Sequence, residues 1–139
     1  MEVVQYTHQL AYSLASQGKP FPILQLRILN PADSEQGLDI EGYLDSGAEY
    51  SLFNGWMATA IGLDLLSGNE RKYGPVVGPT IIGRVHRIRL SHPTVGNFDL
   101  DVGFSTQEIH REILGRDFFN LVQIGFRERY LSYYLTTEA

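Results

Sequence analysis

The sequence predicts a mainly β domain. Three observations predict it: short runs in which apolar and polar residues alternate, turn residues that punctuate those runs at regular spacing, and only a few stretches with a helical period. At 139 residues the chain suits one domain with its own core. Hydrophobic residues make up 43% and charged residues 19%, a globular composition rather than a disordered one.

Over residues 2–16, Val3, Val4, Leu10, Leu14 and Ala15 stand among polar residues at loose helical spacing. Gly18-Lys19-Pro20 follows as a stop, which predicts an N-terminal helix. From Phe21 to Leu29 apolar residues alternate with Gln25 and Arg27, and Asn30-Pro31 closes the run, as in a strand. Residues 31–37, PADSEQG, read as a loop. Leu38 to Leu44 reads as a second strand that delivers Asp45 to a tight turn, Asp45-Ser46-Gly47-Ala48, after which Ser51-Leu52-Phe53 is extended again.

Trp56 to Leu66 carries Trp56, Ala60, Ile61, Leu63 and Leu65, a short helix broken by Gly62 and closed by Ser67-Gly68-Asn69. Residues 73–83, YGPVVGPTIIG, mix glycine and proline with apolar residues and suit a mobile hairpin better than a core strand. Val85 to Leu90 and Phe98 to Phe104 read as strands on either side of the turn-rich Ser91–Asn97. Ile109 to Leu114 reads as a strand, and Phe118, Leu121 and Val122 recur as on a short helix. The aromatic-rich Phe126–Leu135 closes the chain as one or two strands.

Charge and composition narrow the function. The net charge of −5 has the wrong sign for a general phosphate-backbone binder, so nucleic acid is not an expected partner. No run approaches the roughly 18 consecutive apolar residues of a membrane span. The first twenty residues lack the basic start and apolar stretch of a signal peptide, so a soluble, cytoplasmic protein with no membrane partner is expected. There is no cysteine, hence no disulfide, thiolate metal site or cysteine nucleophile. His8, His86, His92 and His110 show no metal-ligand spacing. Gly78 to Gly83 has the glycine spacing of a phosphate loop, but Arg84-Val85 stands where Lys and Ser/Thr are required.

The informative turn is Asp45-Ser46-Gly47, an acid, a small hydroxyl and a glycine directly after an apolar strand. Taken alone it is an ordinary turn, since these are preferred turn residues. A second segment changes that. Tyr43-Leu44-Asp45-Ser46-Gly47-Ala48-Glu49-Tyr50-Ser51-Leu52-Phe53 and, about sixty residues later, Ile113-Leu114-Gly115-Arg116-Asp117-Phe118-Phe119-Asn120-Leu121 together resemble the two motifs of the retropepsin-like aspartic proteases, the family of the retroviral proteases. Gln123-Ile124-Gly125 continues the likeness, which extends over about residues 20–128.

The resemblance implies a closed, barrel-like β fold of the acid-protease type over residues 20–139, with residues 1–19 as a helical extension. It implies an aspartic endopeptidase without metal or organic cofactor, acting on an extended peptide or protein. In such an enzyme two carboxyl groups about 3 Å apart share one proton, one acting as base toward water and the other as acid toward the carbonyl oxygen. This chain has one Asp-Ser/Thr-Gly, so the second carboxylate must come from the Asp45 of a second copy and the catalytic unit is a homodimer.

The resemblance also distributes roles. Ser46 hydrogen-bonds across the two-fold axis, and Gly47 lets substrate backbone approach. Ala48, Glu49 and Ile113 meet substrate alongside it. Gly115, Arg116 and Asp117 brace the catalytic turn from behind, Glu49 and Arg116 forming a buried ion pair. The segment Gly74–Arg84 takes the place of the flap, and the aromatic tail Tyr130–Leu135 supplies the dimer sheet. The alternative on the same fold is a catalytically silent peptide-binding or dimerisation module.

Overall fold

A computed structural model describes residues 1–15, 17–74 and 78–137 of the chain. In chain order the strands are β1 (His8–Ala11), β2 (Ser13–Leu14), β3 (Pro20–Phe21), β4 (Ile23–Asn30), β5 (Asp33–Leu44), β6 (Leu52–Asn54), β7 (Asn69–Tyr73), β8 (Ile81–His92), β9 (Gly96–Ser105), β10 (Glu112–Leu114), β11 (Val122–Arg127) and β12 (Ser132–Thr137). Two short helices, α1 (Gly55–Ala60) and α2 (Arg116–Phe119), follow β6 and β10, and single 3-10 turns occupy Leu65–Ser67 and Glu128–Tyr130. The mainly β class read from the alternating runs is what forms.

The large sheet runs β4-β5-β10-β6-β9-β8-β7, and a further pairing of β4 with β8 joins its two sides. The result is a hydrogen-bonded circuit of six strands with β7 attached outside it on β8. The mainly β character expected of the fold is present, with its strands joined in this circuit. Its interior is apolar because alternate residues of each strand point inward: Leu24, Leu26 and Ile28 from β4, Ile88 and Leu90 from β8, and Leu100, Val102 and Phe104 from β9 are all buried. Phe53, Leu114 and Phe118 complete the part of the core beneath the Asp45 turn.

Three expectations are corrected. Of the helix expected over residues 2–16, the described residues 2–15 form none; they contain β1 and β2, and β1 pairs with β12 from His8↔Leu135 to Ala11↔Ser132. The physical reason lies in the period: His8, Leu10 and Tyr12 are half-buried while Gln9 and Ala11 are exposed, a two-residue alternation that acquires its value only when β12 is alongside. The loop expected at 31–37 shrinks to a tight turn, since β5 begins at Asp33 and pairs with Asn30. The helix expected over Trp56–Leu66 ends at Ala60, with Gly62 at φ +84° and a separate 3-10 turn beyond it. Of the hairpin at 73–83, residues 75–77 lie outside the described residues; its two sides are β7 and the start of β8.

The chain ends form a second sheet of order β1-β12-β11. Both edges of β12 are therefore filled within one chain. Of the tail Tyr130–Leu135, expected to supply the dimer sheet, Ser132–Leu135 are paired on both sides within the chain while Tyr130 and Leu131 are exposed, and the outer strands of this sheet are β1 and β11. Tyr133 is fully buried beneath it and donates a hydrogen bond to the Ile23 carbonyl at 3.0 Å, which ties the terminal sheet to the start of β4.

Candidate active site

Asp45 immediately follows β5, and β10 threads between the two strands that flank its turn. On one side β10 runs parallel to β5, with Ile113↔Tyr43 and Leu114↔Leu44 in register; on the other it is antiparallel to β6 at Ile113↔Leu52. The ladder continues into the turn: Asp45 N–H donates to the Leu114 carbonyl at 3.0 Å, and Leu44 N–H donates to the Pro22 carbonyl at 3.0 Å. The turn is closed by its own side chain, for Gly47 N–H donates to Asp45 Oδ1 at 2.9 Å and Ala48 N–H to the Asp45 carbonyl at 3.2 Å. Asp45, Ser46 and Gly47 are exposed. A Cβ on Gly47 would stand 3.2 Å from Asp45 Oδ1, so its absence leaves that carboxylate uncovered.

The far end of the turn is held by the start of α2. Ser51, which is fully buried, donates from Oγ to Asp117 Oδ1 at 2.6 Å and from its backbone N–H to Asp117 Oδ2 at 2.9 Å. Gly115 N–H donates to Ser51 Oγ at 3.0 Å, and Phe118 N–H to Asp117 Oδ1 at 2.7 Å. Arg116 N–H donates to the Ala48 carbonyl at 2.8 Å and Asp117 N–H to the Glu49 carbonyl at 3.3 Å. This stitching requires glycine at 115: a Cβ there would lie 2.8 Å from both the Ala48 oxygen and the Tyr50 carbonyl carbon.

The bracing pair differs from the one implied by the resemblance. Glu49 and Arg116 are both exposed, and no ion pair joins their side chains among the described residues. Their backbones carry the contact instead, and the side-chain brace is Ser51 with Asp117. Ser51 was not singled out from the sequence, because a serine opening an apolar run is ordinary; its burial became visible only when α2 packed onto it.

Tyr50 also escaped the sequence reading. Its ring stands edge-on to Tyr73 with centroids 6.5 Å apart, and the Arg71 guanidinium lies 4.0 Å above it. These contacts join the base of the β7–β8 hairpin to the Asp45 turn. Tyr73 fills a notch that two glycines leave open: a Cβ on Gly83 would come 2.6 Å from its ring and one on Gly103 would come 1.9 Å from its hydroxyl. The hydroxyl has no hydrogen-bond partner among the described residues, and burial raises its pKa above the ordinary tyrosine value. Glycines inside the β8 and β9 sequences were the available signal, since a glycine within a strand marks close approach by a neighbour.

On the outer side of β5, away from buried Leu44 and Leu114, lie half-buried Tyr43 and Ile113. Asp45 is two residues beyond Tyr43, just past the end of β5. The Tyr43 ring packs on Phe21 at 5.9 Å, and the Arg111 guanidinium lies 4.5 Å from the Tyr43 centroid and 5.1 Å from that of Phe21. A groove of about 1000 Å³ lies elsewhere, lined by Arg27, Asp39, Trp56, His92 and Glu112 among others. Among the described residues no three His, Asp or Glu side chains gather closely enough to hold a metal ion, and no helix is long and apolar enough to cross a membrane.

No family model matches this chain, and no curated protein matches it. Solved structures do. A retropepsin-like aspartic protease from Rickettsia conorii superposes with a TM-score of 0.59 at 12% identity, covering 100% of both chains. The retroviral protease-like domain of Ddi1 from Leishmania major superposes at 0.51 with 16% identity, covering 84% of this chain and 94% of that one. At these identities the likeness is one of fold, and the fold is that of the retropepsin-like aspartic proteases.

Proposed function

We propose that this chain of retropepsin-like fold is an aspartic endopeptidase whose working unit is a homodimer with Asp45 from each copy at the two-fold axis. The observation that carries the reading is the presentation of Asp45: exposed, at the tip of a turn anchored by β10 and α2, with Oδ1 oriented by the Gly47 amide. A group that must exchange protons with water and with a peptide needs that combination of access and fixed direction.

In the proposed reaction the two Asp45 carboxyls share one proton, because two like charges at contact cannot both ionise. The ionised carboxylate takes a proton from a water whose oxygen bonds to the peptide carbonyl carbon, and the protonated one gives its proton to the carbonyl oxygen. The resulting gem-diol collapses as the C–N bond breaks. The nitrogen leaves with a proton from one carboxyl and a hydroxyl proton returns to the pair, restoring one shared proton with a carboxylic acid and an amine as products. Ser46, exposed beside Asp45, is available to hydrogen-bond to the opposing turn. Gly47, Ala48, Glu49 and Ile113 border the cleft, and Gly115, Arg116 and Asp117 support the turn from behind.

The test is cleavage of a diverse peptide library from about pH 3 to 8 by wild type and by Asp45→Asn prepared identically. Cuts made by wild type and absent from the variant support the reading. A folded, dimeric wild type that cuts nothing supports the alternative, a binding module; the large groove away from Asp45 is the observation in its favour.

A further inference from the structure

We propose that Arg111 is a carboxylate receptor beside the Asp45 turn, selecting a peptide with an acidic side chain close to the reacting bond. The inference rests on the peptide-cleft reading above and adds a substrate class to it.

The Arg111 guanidinium is laid over an aromatic pair, 4.5 Å from the Tyr43 centroid and 5.1 Å from that of Phe21. A cation–π contact of this kind engages the guanidinium charge without supplying an oxygen acceptor to its N–H donors. Among the described residues those donors have no hydrogen-bond or ion-pair partner, although Arg111 is only half-buried and could reach one. Three arginines of the sheet are matched within the chain, Arg27 with Asp39, Arg87 with Asp101 and Arg89 with Asp99, whereas Arg71 and Arg84, like Arg111, form no ion pair among the described residues. A net charge of −5 means that carboxylates are plentiful, and still none of the described ones is set against Arg111. A planar fork resting against two rings and without an ion-pair partner among the described residues is suited to a bidentate carboxylate from outside.

Its position gives that carboxylate a meaning. Tyr43 is in register with Ile113 and precedes by two residues the Asp45 that opens the turn, a span of about 7 Å of extended chain. An extended peptide advances about 3.3 Å per residue, so one whose reacting bond sits over Asp45 brings a nearby side chain within reach of Arg111. The expected neighbours of the bond are then not uniformly apolar: one position takes Glu or Asp.

The experiment uses short peptides that differ only in Glu or Gln at each position in turn. They are titrated calorimetrically into full-length Asp45→Asn and offered to wild type for cleavage. At one position the Glu peptide should bind roughly tenfold more tightly than its Gln twin, the range for a hydrogen bond to a charged group. That ratio should fall to near one when Arg111→Met is added, a change that keeps an apolar stem over Tyr43, and should be partly retained in Arg111→Lys. Retention of the full ratio in Arg111→Met overturns the proposal, as does the lack of any Glu preference or of any binding. Weaker self-association of Arg111→Met without a Glu preference also overturns it, by assigning the guanidinium to a carboxylate of the second copy. Cleavage without acidic preference removes this inference and leaves the protease reading. Arg111-dependent binding of Glu peptides with no cleavage by wild type does the reverse.

Discussion

Ser51 and Asp117, sixty-six positions apart, are joined by two hydrogen bonds, from the serine hydroxyl at 2.6 Å and from its backbone amide at 2.9 Å. Because the same carboxylate also accepts the Phe118 amide, one side chain fixes the end of the Asp45 turn and the first turn of α2 together. The turn is thus braced by a network that includes a buried serine, where exposed Glu49 and Arg116 contribute only backbone.

Asp117→Ala should therefore cost about 2–3 kcal/mol, because it leaves the Ser51 Oγ–H and the Ser51 amide without an acceptor, while the Phe118 amide keeps the Gly115 carbonyl at 3.0 Å. Asp117→Asn should cost less, as one oxygen remains to accept. Urea unfolding checks both, and the midpoint should move without a change in slope. Under the proposed function, Asp117→Ala should also lower kcat through the displaced turn.

Among the described residues the Tyr73 hydroxyl is buried without a partner, so Tyr73→Phe should leave stability unchanged or raise it by up to about 1 kcal/mol. Gly103→Ala should lose at least 1–3 kcal/mol, about the cost of overpacking, because its methyl would overlap that hydroxyl. Tyr73→Leu should rescue part of the loss, giving a coupling of roughly 1 kcal/mol or more in a double-mutant cycle. Additive effects would show that the notch does not join the two residues.

His92 Nδ1 accepts the amides of Thr94 at 3.2 Å and Val95 at 3.1 Å, which requires Nδ1 to be unprotonated and the ring proton to sit on Nε2. Burial lowers its pKa from the ordinary 6.5, and nearby His8 lowers it further. The unfolded chain then binds the proton more readily than the folded one, so stability rises with pH across this window. It should be fully present above about 6.5, decline as pH falls toward the depressed folded value, and level off below it. His92→Asn, whose side-chain oxygen can accept the same amides, should flatten that part of the profile when unfolding midpoints are measured from about pH 4.5 to 8.5, about two units on either side of the ordinary value of 6.5.

Tyr133→Phe should destabilise the chain by about 1–2 kcal/mol, since it strands the buried Ile23 carbonyl at the junction between the terminal sheet and β4. Hydrogen exchange should show the loss concentrated in β1, β12 and β11, the sheet that this bond fastens. Equal acceleration in all strands would mean that the two sheets open as one unit.

The strands β4, β8 and β9 were legible in the sequence because their alternation is strong enough to specify a buried face without reference to a partner. The Asp45 turn was legible for a local reason too, since Asp, Ser and Gly write their own backbone geometry within four residues. What tertiary structure decided has the opposite character. Residues 8–11 are strand because β12 lies beside them, although their apolar spacing also fits a helix. The brace of the turn fell to Ser51 and Asp117 because α2 meets the turn with Gly115 and the Asp117 carboxylate facing inward while Arg116 points to solvent, a geometry that depends on how two segments sixty-six positions apart approach. Arg111 likewise had no meaning in the sequence until Phe21 and Tyr43 were brought beneath it. Local hydrogen bonding and alternation are properties of a few consecutive residues and can be read from them; which side chain occupies a shared space is settled only by packing, where every neighbour comes from elsewhere in the chain.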